Sequence, residues 1–184
     1  MIYVFCGMPL AGKSTITKIV SSKTGVKRLD KDEHIRELLF GNPGSVDDTL
    51  SGNFDQESQA CYRTLFYLAN EFLAVGRHLI ISAPFVRKKN QDLLYTYRYQ
   101  HPLMAKIIEC EIFDRTEEEV VERLAARNSD PAYAGGLRTL EEYRKLKVSR
   151  SPLACPRYRL NTSSPKTAEI CADEVIRVFE LSPK

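Results

Sequence analysis

The chemistry this chain can do is concentrated near its start. Gly7-Met8-Pro9-Leu10-Ala11-Gly12-Lys13-Ser14 fits the pattern G-x-x-x-x-G-K-[ST], and Thr15 follows it. At average residue frequencies the pattern arises by chance in roughly 1% of chains this long. Gly7 and Gly12 let the backbone turn tightly, so that successive N–H groups point inward at phosphate oxygens. Met8, Pro9, Leu10 and Ala11 complete that cradle. Lys13 is placed to reach the β- and γ-phosphates of a nucleotide, and the Ser14 hydroxyl is offered to Mg²⁺. A helix opening near Lys13 would aim its positive end at the same anion.

Other candidates are looser. Asp30, Asp32 and Arg36 follow a short apolar stretch. A carboxylate at the carboxyl end of a parallel strand faces the ligand crevice, and a hydroxyl acceptor needs a base within hydrogen-bond reach. Either Asp30 or Asp32 is equally suited to cap the next helix. Arg36 suits an anionic acceptor or orients the carboxylate. Ser82 ends a third apolar run, where it either meets a ligand or only terminates the strand, and Arg87 lies just beyond. Arg123 and Arg127 are four apart, hence on one side of a helix. Eight of the fifteen arginines fall between Arg115 and Arg159, which concentrates positive charge there. The histidines His34, His78 and His101 show no metal-ligand spacing, and no G-x-S-x-G elbow is present.

These residues need a frame. Ile2–Cys6 reads as a buried strand, Lys13–Thr24 as a helix stopped by Gly25, and Val26–Leu29 as a second strand. Asp30–Phe40 reads as helical. Residues 41–53 hold Gly41, Pro43, Gly44 and Gly52 and read as a mobile surface loop. Phe54, Ser58, Cys61, Leu65, Leu68, Phe72 and Val75 step by four and three along one helical face. Strands are expected over 78–81, 106–113 and 157–160, and a helix over 87–100. Thr116-x-x-Glu119 and Thr139-x-x-Glu142 are capping boxes. In the first of these helices Val120, Leu124 and Ala125 point to the sheet. The last helix starts at Ser164-Pro165. Strands alternating with helices predict an α/β fold, a three-layer α/β/α sandwich with a central five-stranded parallel sheet. Residues 1–184 form one domain, with an inserted lid over about 128–156.

Composition sets limits. A chain of 184 residues, 43% hydrophobic and 28% charged, needs no disulfide or metal staple to build a core. A net charge of +3 is too small to argue for extended nucleic-acid or membrane binding. Five scattered cysteines without a C-x-x-C pair, and an N-terminus without a basic leader, point to reduced thiols in the cytoplasm.

The order of elements, the Gly7–Ser14 loop and Leu29-Asp30-Lys31-Asp32 with Arg36 resemble the small P-loop kinases of the shikimate, gluconate, adenylate and polynucleotide kinase type. The D-x-D spacing also resembles zeta-toxin-like kinases. The resemblance implies an adenylate-kinase-like P-loop NTPase fold with a small lid, binding ATP and Mg²⁺. It implies that Asp32 acts as base and shares the metal with Ser14. It places Asp30, Arg36, Ser82 and Arg87 at the acceptor, and Arg123 and Arg127 in a lid closing over ATP. Asn161-Thr162-Ser163 falls where relatives pack near the adenine. Those relatives often carry an acid where this chain has Ser82, which weakens the magnesium assignment without removing it, since Asp30 or Asp32 could supply the missing charge. The implied activity is transfer of the γ-phosphate of Mg-ATP to a hydroxyl or phosphate of a small-molecule or nucleotide-like acceptor. An ATP-binding or hydrolysing switch protein, or a kinase acting on a nucleic-acid 5′ end, fits the same motifs less well.

Overall fold

The apolar run Ile2–Cys6 is β1, buried along its whole length, and it forms the centre of a five-stranded sheet. β2 (Lys27–Asp30), β3 (Leu79–Ser82), β4 (Ala105–Glu111) and β5 (Tyr158–Asn161) complete it in the order β2-β3-β1-β4-β5, and every pairing is parallel. The computed structural model describes residues 1–41, 54–112, 116–129, 139–163 and 167–182. The loop expected over 41–53 lies outside them apart from Gly41. All strands therefore end on the same edge, and the crevice along that edge is where an open parallel sheet binds ligands.

Side chains alternate between two faces of β1 and seed two cores. Ile2, Val4 and Cys6 pack with Cys61, Leu65 and Phe66 of α3 (Phe54–Ala74) and with Leu94 and Tyr97 of α4 (Lys88–Gln100). Tyr3 and Phe5 pack on the other face with Ile16 and Val20 of α1 (Lys13–Thr24) and with Cys171 and Val175 of the last helix. The three-layer α/β/α architecture is the one the alternating pattern predicted. Between β2 and α3 lie a single π-helical turn, Lys31–Arg36, and the short α2 (Glu37–Phe40).

The remaining helices follow their caps. Thr116 accepts from the Glu119 amide at the start of α5 (Glu117–Asn128). Thr139 and Glu142 form a full capping box at the start of α6 (Leu140–Ser149). Val120 and Leu124 of α5 are buried with Tyr143 of α6 against Met8 and Val86. Three local expectations are corrected. Ala125 is exposed, because α5 covers the strand ends rather than a sheet face. Val75 is 68% exposed, because α3 stops at Ala74. The last helix, α7 (Ala168–Val178), is capped by Thr167, which accepts from the Ile170 amide, and so begins after Ser164-Pro165. Among the described residues no helix is long and apolar enough to cross a membrane.

Candidate functional site

The loop between β1 and α1 is built by backbone chemistry. Gly7 has φ +125°, and a Cβ there would lie 2.3 Å from the Cys110 carbonyl oxygen of β4, so only glycine fits. Its N–H donates to the Pro84 carbonyl at 3.1 Å, which ties the loop to the end of β3. Leu10 and Gly12 also have positive φ, 68° and 77°. Such backbone is strained at leucine. The Leu10 carbonyl accepts from Arg123 Nη1 at 2.9 Å, which braces the turn from α5. No side chain caps α1 at Gly12, and its first turn carries no acid, leaving the helix end favourable to an anion. Thr15 is exposed on that first turn.

Lys13 is buried inside this loop and donates from Nζ to the carbonyls of Gly7 at 3.1 Å and Met8 at 2.8 Å. Burial lowers its pKa, and the positive charge of Arg127 pushes the same way. Arg123 is thus tied to the loop by a hydrogen bond, while Arg127 lies near enough for its charge to bear on Lys13.

The two aspartates after β2 have different surroundings. Asp30 accepts from Ser14 Oγ at 3.0 Å and from Arg28 Nη2 at 2.8 Å on one oxygen. Its other oxygen accepts from the amides of Asp32 and Glu33 at 3.0 and 3.3 Å, capping the π-helical turn. Burial raises the Asp30 carboxyl, but Arg28, Ser82 and these amides outweigh it and hold it below its ordinary range. Ser82 pairs in register with Asp30 across β2 and β3. Its buried Oγ contributes to that lowering without meeting hydrogen-bond geometry to any described atom.

Asp32 instead pairs with Lys31, whose Nζ lies 2.6 Å from Asp32 Oδ1. The Lys31 ammonium stands 5.7 Å from the centre of the Tyr62 ring on α3. Burial lowers the Lys31 pKa, but Asp32 and Tyr62 more than reverse it, and it ends above the ordinary value. Arg36, at the end of the same π-helical turn, is buried and reaches Glu57 of α3 at 3.5 Å. Arg87 is exposed at the start of α4. Thr162 of the 161–163 stretch donates from both N and Oγ1 to the Glu111 carbonyl, at 2.7 and 3.0 Å.

Four residues were missed from sequence alone. Arg28 bridges Asp30, Glu33 and the Thr17 hydroxyl, and its place two residues before Asp30 puts both on one face of β2. Glu109 is fully buried on β4, one register step from Gly7, and is gripped by Arg150 and Arg157. Those two arginines pin the chain between α6 and β5, and the Ser151 amide is bonded to the Val86 carbonyl at 3.1 Å. That segment, the end of the expected lid, is anchored to the sheet.

Oxygen donors from Ser14 and Asp30 suit a hard divalent cation, and the amide-lined loop with Lys13 suits a polyphosphate. A family profile described as an AAA domain matches residues 2–146. No curated protein matches the chain. Among solved structures, shikimate kinase from Bacteroides thetaiotaomicron aligns with a TM-score of 0.67 at 17% identity, covering 98% of this chain and 99% of that one. A sugar kinase from Janibacter sp. HTCC2649 gives 0.64 at 16%, covering 99% and 95%. APS kinase from Mycobacterium tuberculosis, solved with AMPPNP and APS, gives 0.57 at 19%, covering 97% and 96%. At such identities the similarity establishes the fold, that of the P-loop kinases.

Proposed function

The chain belongs to the AAA domain family, and from that premise we propose that it is an ATP-dependent phosphotransferase acting on a hydroxyl of a small-molecule acceptor. The observation that carries this reading is the division of labour between the two aspartates. Asp30 is committed to Ser14 and Arg28, while Asp32 is held apart from both by its pairing with Lys31. A protein that only bound nucleotide would need the first carboxylate and have little use for the second.

ATP is bound by Gly7, Met8, Pro9, Leu10, Ala11, Gly12, Lys13, Ser14 and Thr15, with loop amides and Lys13 taking the phosphates. Ser14 and Asp30 would hold Mg²⁺, which moves that role from Asp32 to Asp30. An ion bound there would supply charge neutralisation at the phosphates. Asp32 accepts the proton of the acceptor hydroxyl as its oxygen bonds to the γ-phosphorus. The bond from γ-phosphorus to the bridging oxygen breaks, and ADP leaves. Arg123 and Arg127 balance the charge that spreads over the transferring group, and Arg36 favours an acceptor that carries its own negative charge. The moving part of the lid is α6, which closes to exclude water; the part of the expected lid over 130–138 lies outside the described residues. Four buried cysteines and one half-buried one suit the cytoplasm.

Ser82 favours a second reading, a regulatory nucleotide-binding protein, because a hydroxyl holds a metal's water shell less firmly than a carboxylate. A screen of hydroxylated metabolites for ATP-dependent phosphorylation, with ATP alone as control, separates the two. Transfer above the control supports the kinase; hydrolysis stimulated only by a protein supports the switch. Nucleic-acid 5′ ends belong in the same screen. Lys13→Ala should abolish ATP-dependent thermal stabilisation. Asp32→Asn should retain it while losing about 10²–10⁴-fold in transfer, the usual contribution of a general base.

A further inference from the structure

A carboxylate that serves as base must be presented with one oxygen free and the other fixed. The backbone does not do this for Asp32. The Asp32 and Glu33 amides, which open the turn after β2, are both spent on Asp30 Oδ1. Lys31 Nζ, at 2.6 Å from Asp32 Oδ1, is the one partner the Asp32 carboxylate finds among the described residues. Asp32 Oδ2 is left with its lone pairs, on a side chain 27% exposed.

Lys31 itself is placed at a cost. Its side chain is 8% exposed, where an ammonium loses most of its hydration. Its partial compensation is the face of Tyr62, 5.7 Å away, a ring held by the Phe85 amide, which donates to the Tyr62 hydroxyl at 3.2 Å. Phe85 follows the end of β3, so the chain Phe85–Tyr62–Lys31–Asp32 runs from the sheet's carboxyl edge to the carboxylate. A buried pair of this kind adds little to stability compared with apolar side chains of the same shape. What it does supply is a fixed direction.

We propose that Lys31 is a positioning residue that anchors Asp32 through Oδ1 and so presents Oδ2 to the acceptor hydroxyl. The proposal rests on Asp32 being the base. It makes the lysine between the two aspartates part of the catalytic arrangement without contact to either substrate.

The test uses the full chain with [γ-³²P]ATP, water being the acceptor, and reads phosphate release in Lys31→Met, Asp32→Asn and the double variant. Asp32→Asn should slow release by about 100-fold. Lys31→Met should slow it by about tenfold, with KM for ATP within about twofold, since a misplaced group costs kcat. The double variant should be no slower than Asp32→Asn alone, because a residue acting through Asp32 then has nothing to act on. A Lys31→Met enzyme at the wild-type rate, or a double variant slower than Asp32→Asn by the full Lys31→Met factor, overturns the positioning role while leaving Asp32 as base. A wild-type rate in Asp32→Asn overturns the base assignment and the Lys31 role with it. Thermal stabilisation by AMP-PNP reports folding in each variant, and Lys31→Gln takes the place of Lys31→Met if the latter does not fold.

Discussion

Asp30 shows how much of this site depends on single atoms. Its two oxygens accept from a serine, an arginine and two amides, so the carboxylate is held in place before any ligand arrives. Burial opposes its charge, yet Arg28, Ser82 and the amides win and the carboxyl is held low. A carboxyl lowered by folding adds stability above its unfolded pKa of about 3.9, and that stability fades as pH falls through the folded value. The stability gap between wild type and Asp30→Asn should therefore be constant from pH 7 to about 5. Below about pH 4 it should shrink steadily. Urea unfolding across this range measures it, and a gap that stayed constant into the acid would contradict the lowered carboxyl. Arg28 was within reach of the sequence, since residues two apart share a face of a strand. The choice between Asp30 and Asp32 was not, because it depends on which carboxylate the π-helical turn directs at Ser14.

At the scale of elements, legibility followed sequence separation. The phosphate loop and the caps Thr116 and Thr139 are local patterns, and the structure has them where expected. α7 was placed too early because two cap signals stand three residues apart, and Thr167 prevails over Ser164-Pro165. Glu109 was invisible, because its partners Arg150 and Arg157 lie 41 and 48 residues away and nothing local announces them. Those pairs fasten the segment between α6 and β5 to the middle of the sheet, with Gln91 Nε2 adding a 2.6 Å bond to the Ser151 carbonyl. Glu109 is fully buried while its arginines stay partly in water, so breaking the cluster costs less than for a wholly buried pair. Glu109→Gln should cost about 2–3 kcal/mol, read from the shift in the urea midpoint at unchanged slope. A loss under roughly 0.5 kcal/mol, the scale of an exposed pair, would mean the cluster does not anchor the segment.

For the molecule as a whole, the three apolar clusters divide the work. Two large ones fix the sheet between α3–α4 and α1–α7, and they leave the strand ends rigid. The third is small: Met8, Val86, Val120, Leu124 and Tyr143, with Leu10, Leu140 and Leu146 beside them. It holds α5 and α6 directly on the phosphate loop, since Met8 and Leu10 belong to both. Ligand binding and the seating of α6 are therefore coupled through the same side chains, and a cluster this size opens far more readily than the sheet core. A nucleotide that orders Met8 and Leu10 should tighten α6 without altering the two large cores. In hydrogen exchange, AMP-PNP with Mg²⁺ should slow amides of α6 and of Lys31–Phe40 by about fivefold or more. That follows from a coupling of roughly 1 kcal/mol, at the lower end of what linked sites show. Amides of β1, β3 and β4 exchange only through global opening and should slow only as total stability rises. Tyr143→Ala should abolish the α6 effect while leaving nucleotide-dependent slowing in α1. Equal slowing of α6 and the strands would show that nucleotide acts on the fold as one unit, with no separate closing element over the loop.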